Sequence, residues 1–202
     1  MSFENERYKF IALADGVSEC TNGKDGADIA CETVAQLFLS CGNLFFNSIP
    51  EKAAYLIISE VLDRLSKKSN SKDENVRSYS STLCFACLDN ESKKILTFQL
   101  GDSCIFTVSE KGVEKTNLQY ENAFTTTLNA EDYVQIKFID ATTINSIMLC
   151  SDGAWKLMYD GALLINGVIA DIKETRLSAV DNYFDYLCPN DDCSYIFMDL
   201  KS

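Results

Sequence analysis

The stretch Ile147-Met148-Leu149-Cys150-Ser151-Asp152-Gly153-Ala154-Trp155 decides the fold. Its apolar run is too short for a helix and reads as a buried strand, stopped by Ser-Asp-Gly; from Ala154 onward a helix can begin. The same pattern stands near the start of the chain. Residues 8–14 (YKFIALA) are a buried strand ending in Asp15-Gly16, followed by the polar loop VSECTNGKDG. Two more acidic positions share this context. Asp102, in Gly101-Asp102-Ser103, sits between two strands, and Asp191, in Asn190-Asp191-Asp192, precedes a closing strand over 195–200.

Working outward, apolar residues recur at helical spacing over 27–40 (Ile29, Val34, Leu37, Phe38) and again over 50–68 (Ala54, Ile57, Ile58, Val61, Leu62, Leu65), with Gly42 and Pro50 between. Residues 66–78 form a polar connector without periodicity. Strands over 80–88, 95–100 and 104–108 read as one antiparallel meander. The segment 111–145 is weakly patterned, with a turn at Lys111-Gly112 and a strand near 133–139, and a last helix is expected over 173–186. Helices and antiparallel strands are segregated, which favours an α+β fold with helices outside packed sheets. A chain of 202 residues that is 47% hydrophobic buries one sizeable core, so residues 1–202 are expected to form a single domain.

Composition narrows the chemistry. A net charge of -12 argues against nucleic acid as a partner, because phosphate backbones are bound through excess Lys and Arg. With no histidine in the chain, Ser-His-Asp hydrolysis, histidine bases and zinc–histidine sites are excluded. Nine cysteines lie scattered through apolar runs and read as reduced core residues. Cys84 and Cys87 have CxxC spacing inside a strand-like run, and there is no second pair at zinc-ribbon spacing. No stretch approaches the roughly 20 uninterrupted apolar residues of a membrane helix, and the N-terminus lacks a secretory core. A soluble, cytoplasmic protein with no membrane partner is expected.

If the strand ends carrying Asp15, Asp102, Asp152 and Asp191 converge on one edge, their carboxylates form a cluster. Such groups cannot all stay ionised close together unless a cation offsets their repulsion. Oxygen donors without histidine or organised thiolates suit Mg²⁺ or Mn²⁺. Taken singly, Asp-Gly after a strand is an ordinary turn signal and Asp-Asp before one is an ordinary solvated loop. The coincidence of all four positions, two of them in one apolar-small-Asp-Gly pattern, weighs toward the cluster and leaves the ordinary turn reading open.

In chain order, Ala14-Asp15-Gly16, Ser80-Ser81-Thr82-Leu83, Leu100-Gly101-Asp102-Ser103, Leu149-Cys150-Ser151-Asp152-Gly153-Ala154-Trp155 and Asp191-Asp192 resemble the ordered motifs of PP2C-type (PPM) metal-dependent protein serine/threonine phosphatases. The resemblance implies a four-layer α-β-β-α sandwich with a binuclear Mn²⁺ or Mg²⁺ site at one end of two sheets. It implies that Asp15 bridges two metals, that the Gly16 carbonyl binds one, and that Asp152 and Asp191 complete the catalytic set. Asp102 would hold a third, looser ion together with Asp152. The implied reaction is hydrolysis of phosphoserine or phosphothreonine in a phosphoprotein by metal-activated water, in a monomeric enzyme.

The sequence also departs from that pattern. The family's usual first strand, with its phosphate-binding arginine, is expected to be missing, and Arg7 reads as a surface residue. Asp192 replaces a common asparagine, the segment 110–143 is short for a flap, and Val17-Ser18-Glu19-Cys20 replaces a small, glycine-rich continuation. Trp155 and Lys156 read as packing and surface residues, and Ser151 and Thr82 as structural hydroxyls. These departures leave one alternative of another class, a catalytically degenerate binding or regulatory module on the same fold.

Overall fold

The computed structural model describes residues 1–116, 123–160, 163–187 and 193–201. In chain order the elements are β1 (Ser2–Glu4), β2 (Tyr8–Leu13), α1 (Gly23–Phe46), α2 (Pro50–Ser71), β3 (Leu83–Asp89), β4 (Lys94–Leu100), β5 (Cys104–Ser109), β6 (Gly112–Lys115), β7 (Gln135–Asp140), β8 (Ser146–Cys150), α3 (Asp152–Leu157), β9 (Tyr159–Asp160), β10 (Leu163–Leu164), α4 (Asn166–Lys173), α5 (Leu177–Leu187) and β11 (Tyr195–Asp199). Antiparallel pairing makes one sheet in the order β1-β2-β3-β4-β7 and a second in the order β11-β8-β5-β6; β9 and β10 form a small hairpin.

Strand alternation builds three apolar layers. In β2, Phe10 and Ala12 face a cluster with Val34 and Phe38 of α1 and Ile57 and Val61 of α2, while Ile11 and Leu13 point the other way. In β3, Phe85 and Cys87 join the helices and Cys84, Ala86 and Leu88 turn inward. In β8, Ile147 and Leu149 turn inward, and Met148 and Cys150 meet Val168, Ile172, Val180 and Phe184 from α4 and α5. The middle cluster is thus shared by the two sheets, and the outer two bind a helix layer to each sheet. Period-two alternation with both faces buried explains why these strands read as unbroken apolar runs. Ring stacking reinforces the first layer, with Phe85 and Phe98 centroids 4.8 Å apart.

Four stretches of the chain add to or differ from the expected elements. A three-residue strand without arginine, β1, precedes β2 and is held by the stack of Phe3 on Phe10 at 5.0 Å and by Asn5 Oδ1, which accepts from Tyr8 N at 2.7 Å. Three residues are too few for a periodic signal. The expected meander also breaks: β3 and β4 pair in the first sheet, but β5 pairs with β6 and β8 in the second. Gly101, at φ +96, makes the turn that carries the chain across. The helix expected over 173–186 is α5, and a further helix that the sequence pattern did not indicate, α4, precedes it and is parted from it at Thr175 with φ 53. The polar connector continues α2 to Ser71 and then forms a 3₁₀ turn, Val76–Tyr79, whose Tyr79 ring is buried. Among the described residues α1 is the one helix long and apolar enough to cross a bilayer, and its Ala30, Val34 and Phe38 are spent on the first core.

Candidate active site

Register places the aspartates at one end of the sandwich. Leu13 pairs with Cys84, Leu83 with Leu100, and Cys104 with Cys150, so the last residues of β2, β4 and β8 lie beside the first residues of β3 and β5. Asp15, Asp102 and Asp152 follow those three strand ends within two residues. All three line one cavity of about 230 Å³, together with Gly16, Val17, Ser18, Glu19, Thr82 and Phe124. Asp191 lies outside the described residues. The chain is next described at Cys193, and Ser194 sits beside the β8 end: Ser151 N donates to Ser194 O at 2.8 Å and Ser194 N donates to Ser151 Oγ at 3.0 Å.

The corners are tied to one another by side chains from the quoted motifs. Thr82 N donates to Asp15 O at 2.8 Å, and Thr82 Oγ1 accepts from Asp15 N at 2.9 Å. The same hydroxyl is 3.0 Å from Ser103 Oγ, which joins the Asp15 corner to the Asp102 corner. Trp155 Nε1 donates to Asp102 O at 2.9 Å, so the α3 helix is pinned to that corner as well. Thr82 and Ser103 are buried, and hydrogen bonds in such a place fix backbone positions tightly. Gly16 is required by close approach, since a Cβ there would stand 2.4 Å from the carbonyl carbon of Gly23 at the start of α1. The helix therefore presses directly on the Asp15-Gly16 turn.

Asp152 opens α3. Its Oδ1 accepts from Gly153 N at 2.8 Å, and its Oδ2 meets Lys156 Nζ at 2.7 Å. The reading of Thr82 and Ser151 as structural hydroxyls and of Trp155 as a packing residue agrees with these contacts. Lys156, read as a surface residue, is half exposed yet belongs to the site through Asp152. Arg7 is remote from the cavity, at the opposite end of β2, where it pairs with the buried Asp89 at 3.4 Å and with Glu91 at 3.2 Å. Glu19 and Phe124 also line the cavity, though neither stands in one of the strand-end motifs. Glu19 stands in the unusual loop after Asp15-Gly16, which was the available signal; Phe124 lies in a weakly patterned segment that gave none.

Among the described residues, no three His, Cys, Asp or Glu side chains are grouped closely enough to hold one metal ion. The lining is nevertheless a hard-donor set: four carboxylates, from Asp15, Glu19, Asp102 and Asp152, the Gly16 backbone, and no thiol. That chemistry fits Mg²⁺ or Mn²⁺.

The whole arrangement of two sheets and two helix layers recurs in solved structures. A bacterial serine phosphatase superposes with a TM-score of 0.69 at 12% identity, over 99% of this chain and 90% of that one. The serine/threonine phosphatase Stp1 from Staphylococcus aureus superposes with a TM-score of 0.65 at 13% identity, over 100% and 88%. RsbX, solved in complex with magnesium, gives 0.60 at 12% identity, over 97% and 83%. At these identities the likeness is one of fold. No curated protein matches the chain by sequence. The family model described as protein phosphatase 2C matches residues 2–187. The chain belongs to the protein phosphatase 2C family.

Proposed function

We propose that this protein hydrolyses phosphoserine and phosphothreonine esters in phosphoproteins at a divalent-metal site at the end of the two sheets. The observation that carries the reading is the convergence of Asp15, Asp102 and Asp152 on one cavity, each delivered by a strand end. Asp15, the Gly16 carbonyl and Asp152 would hold two Mg²⁺ or Mn²⁺ ions with Asp191, and Asp102 would serve a third. When bound, such ions acidify water and offset the charge of the phosphate.

The chain's own residues supply the rest. Thr82, Ser103 and Trp155 keep the three corners in place before substrate arrives, which spares the reaction the cost of organising them. Phe124 and Val17 give the cavity apolar wall. Four carboxylates repel a phosphate dianion, so the charge pattern selects for cations first and phosphate second. In this reading water attacks phosphorus in line, the serine or threonine oxygen leaves and takes up a proton from that water, and no protein nucleophile takes part. A soluble, cytoplasmic, monomeric enzyme is part of this reading.

The test is hydrolysis of an aryl phosphate with Mn²⁺, with Mg²⁺ and with a chelator, beside Asp152→Asn. Metal-dependent turnover that falls more than about a hundredfold in the variant, the loss of several kcal/mol of transition-state stabilisation, supports the site. Turnover unaffected by chelator or by the substitution would refute it. One observation favours a second reading, a regulatory module without turnover: the three described aspartates do not gather on a single point. Tight binding of a phosphoprotein at saturating Mn²⁺ without phosphate release would support that reading.

A further inference from the structure

Asp152 has both carboxylate oxygens engaged by this chain. Oδ1 takes the Gly153 N–H at 2.8 Å, and Oδ2 takes the Lys156 ammonium at 2.7 Å, one helical turn along α3. The Asp152 side chain is 22% exposed and that of Lys156 56%, so the pair stands at the cavity rim with the carboxylate on the inner side. Trp155 supports the arrangement. Its indole nitrogen is fixed to Asp102 O, its ring centre lies 6.0 Å from Lys156 Nζ, and Lys115 Nζ lies 4.6 Å from the same ring. A ring so anchored holds two ammonium groups near the acidic cavity by its negative face.

We infer that Lys156 is a built-in counter-cation of the carboxylate cavity: its ammonium occupies the Asp152 oxygen on which a divalent ion would bear, so a metal there must displace it. This rests on the reading of Asp152 as a metal ligand. The consequence is graded by position. An ion shared by Asp15 and Asp152 loses part of one ligand's charge, while a looser ion shared by Asp102 and Asp152 loses half of its charged donors. The protein therefore tolerates the metal-free state better, and fills its weakest ion site less, than the same cavity without Lys156.

Calorimetric titration of Mn²⁺ into the full chain tests this, comparing the wild type with Lys156→Met and Lys156→Arg, alongside thermal melting in EDTA and in Mn²⁺. Because Lys156 is half exposed, both variants are expected to fold. Lys156→Met should bind Mn²⁺ about three- to tenfold more tightly, or take up one more ion per chain, with Lys156→Arg like the wild type. Its melting temperature should drop in EDTA and recover in Mn²⁺; a merely structural lysine would lower both alike. Equal affinity and stoichiometry in wild type and Lys156→Met would overturn the inference and leave the metal site standing. Absence of Mn²⁺ binding in every form would overturn it together with the metal reading of Asp152, so the two failures are distinguishable.

Discussion

At the scale of single residues, Thr82 is the hub of the candidate site, because one buried hydroxyl serves both the Asp15 backbone and Ser103. Thr82→Val keeps the volume and leaves the Asp15 N–H and Ser103 Oγ without that partner. A loss of about 1–3 kcal/mol in stability, read from the urea midpoint, is expected, and an unchanged midpoint would show that the hydroxyl is not an organising link. Gly16→Ala is expected to cost about as much, through overpacking against the Gly23 backbone. Legibility in the sequence follows the same distinction between local and remote causes. Asp15, Asp102 and Asp152 could be picked out because each stands in a local strand-end pattern, and Thr82 and Ser151 because their hydroxyls sit within reach of nearby backbone groups. Glu19 is signalled only by the unusual loop that follows Asp15-Gly16, and Phe124, remote in sequence from the aspartates it stands beside, lies in a weakly patterned segment that gives no signal. For Lys156, helical spacing puts residues four apart on one face, which is enough to foresee its pairing with Asp152 once Asp152 is known to open α3.

At the scale of elements, the Gly101-Asp102-Ser103 corner matters most, because it moves the chain from the first sheet to the second and carries an aspartate as it does so. An antiparallel meander and a sheet-switching corner share the same apolar runs, which is why the sequence pattern assigned β5 to the wrong partner. The α4–α5 break was hidden for a similar reason: Thr175 adopts a left-handed conformation that its residue type does not advertise. Trp155 clamps α3 to the corner, so Trp155→Phe is expected to lower stability by about 1–2 kcal/mol through the lost N–H···O bond and the weakened cation–π contact. It should also weaken Mn²⁺ binding, since Asp102 and Asp152 are set by the two elements it joins. Calorimetry showing wild-type affinity would mean the corner holds its place without the indole.

At the scale of the whole molecule, the buried thiols link the core to pH. Burial pushes Cys104 up to about 12 and raises Cys84 and Cys150 well above the ordinary value. In the unfolded chain these thiols ionise near pH 8.5. Below that pH both states keep their protons and the contribution to stability is complete. As pH rises from there toward 12 the unfolded state alone releases protons, so stability falls. The urea midpoint at pH 10 should therefore lie below that at pH 8, with a smaller drop in Cys104→Ala; equal drops in the two proteins would remove Cys104 from the account. Helices outside packed sheets, by contrast, were legible as two segregated classes of element, while the four-layer order came with the family resemblance, whose motifs also pointed to the end of the sheets where the candidate site lies. The most direct test of that chemistry is phosphate release from a phosphothreonyl peptide in Mn²⁺ by the wild type and by Asp15→Asn, with folding of both verified by circular dichroism. The account predicts release by the wild type that a chelator abolishes, and a fall of more than about a hundredfold in the variant; release that survives either change would contradict it.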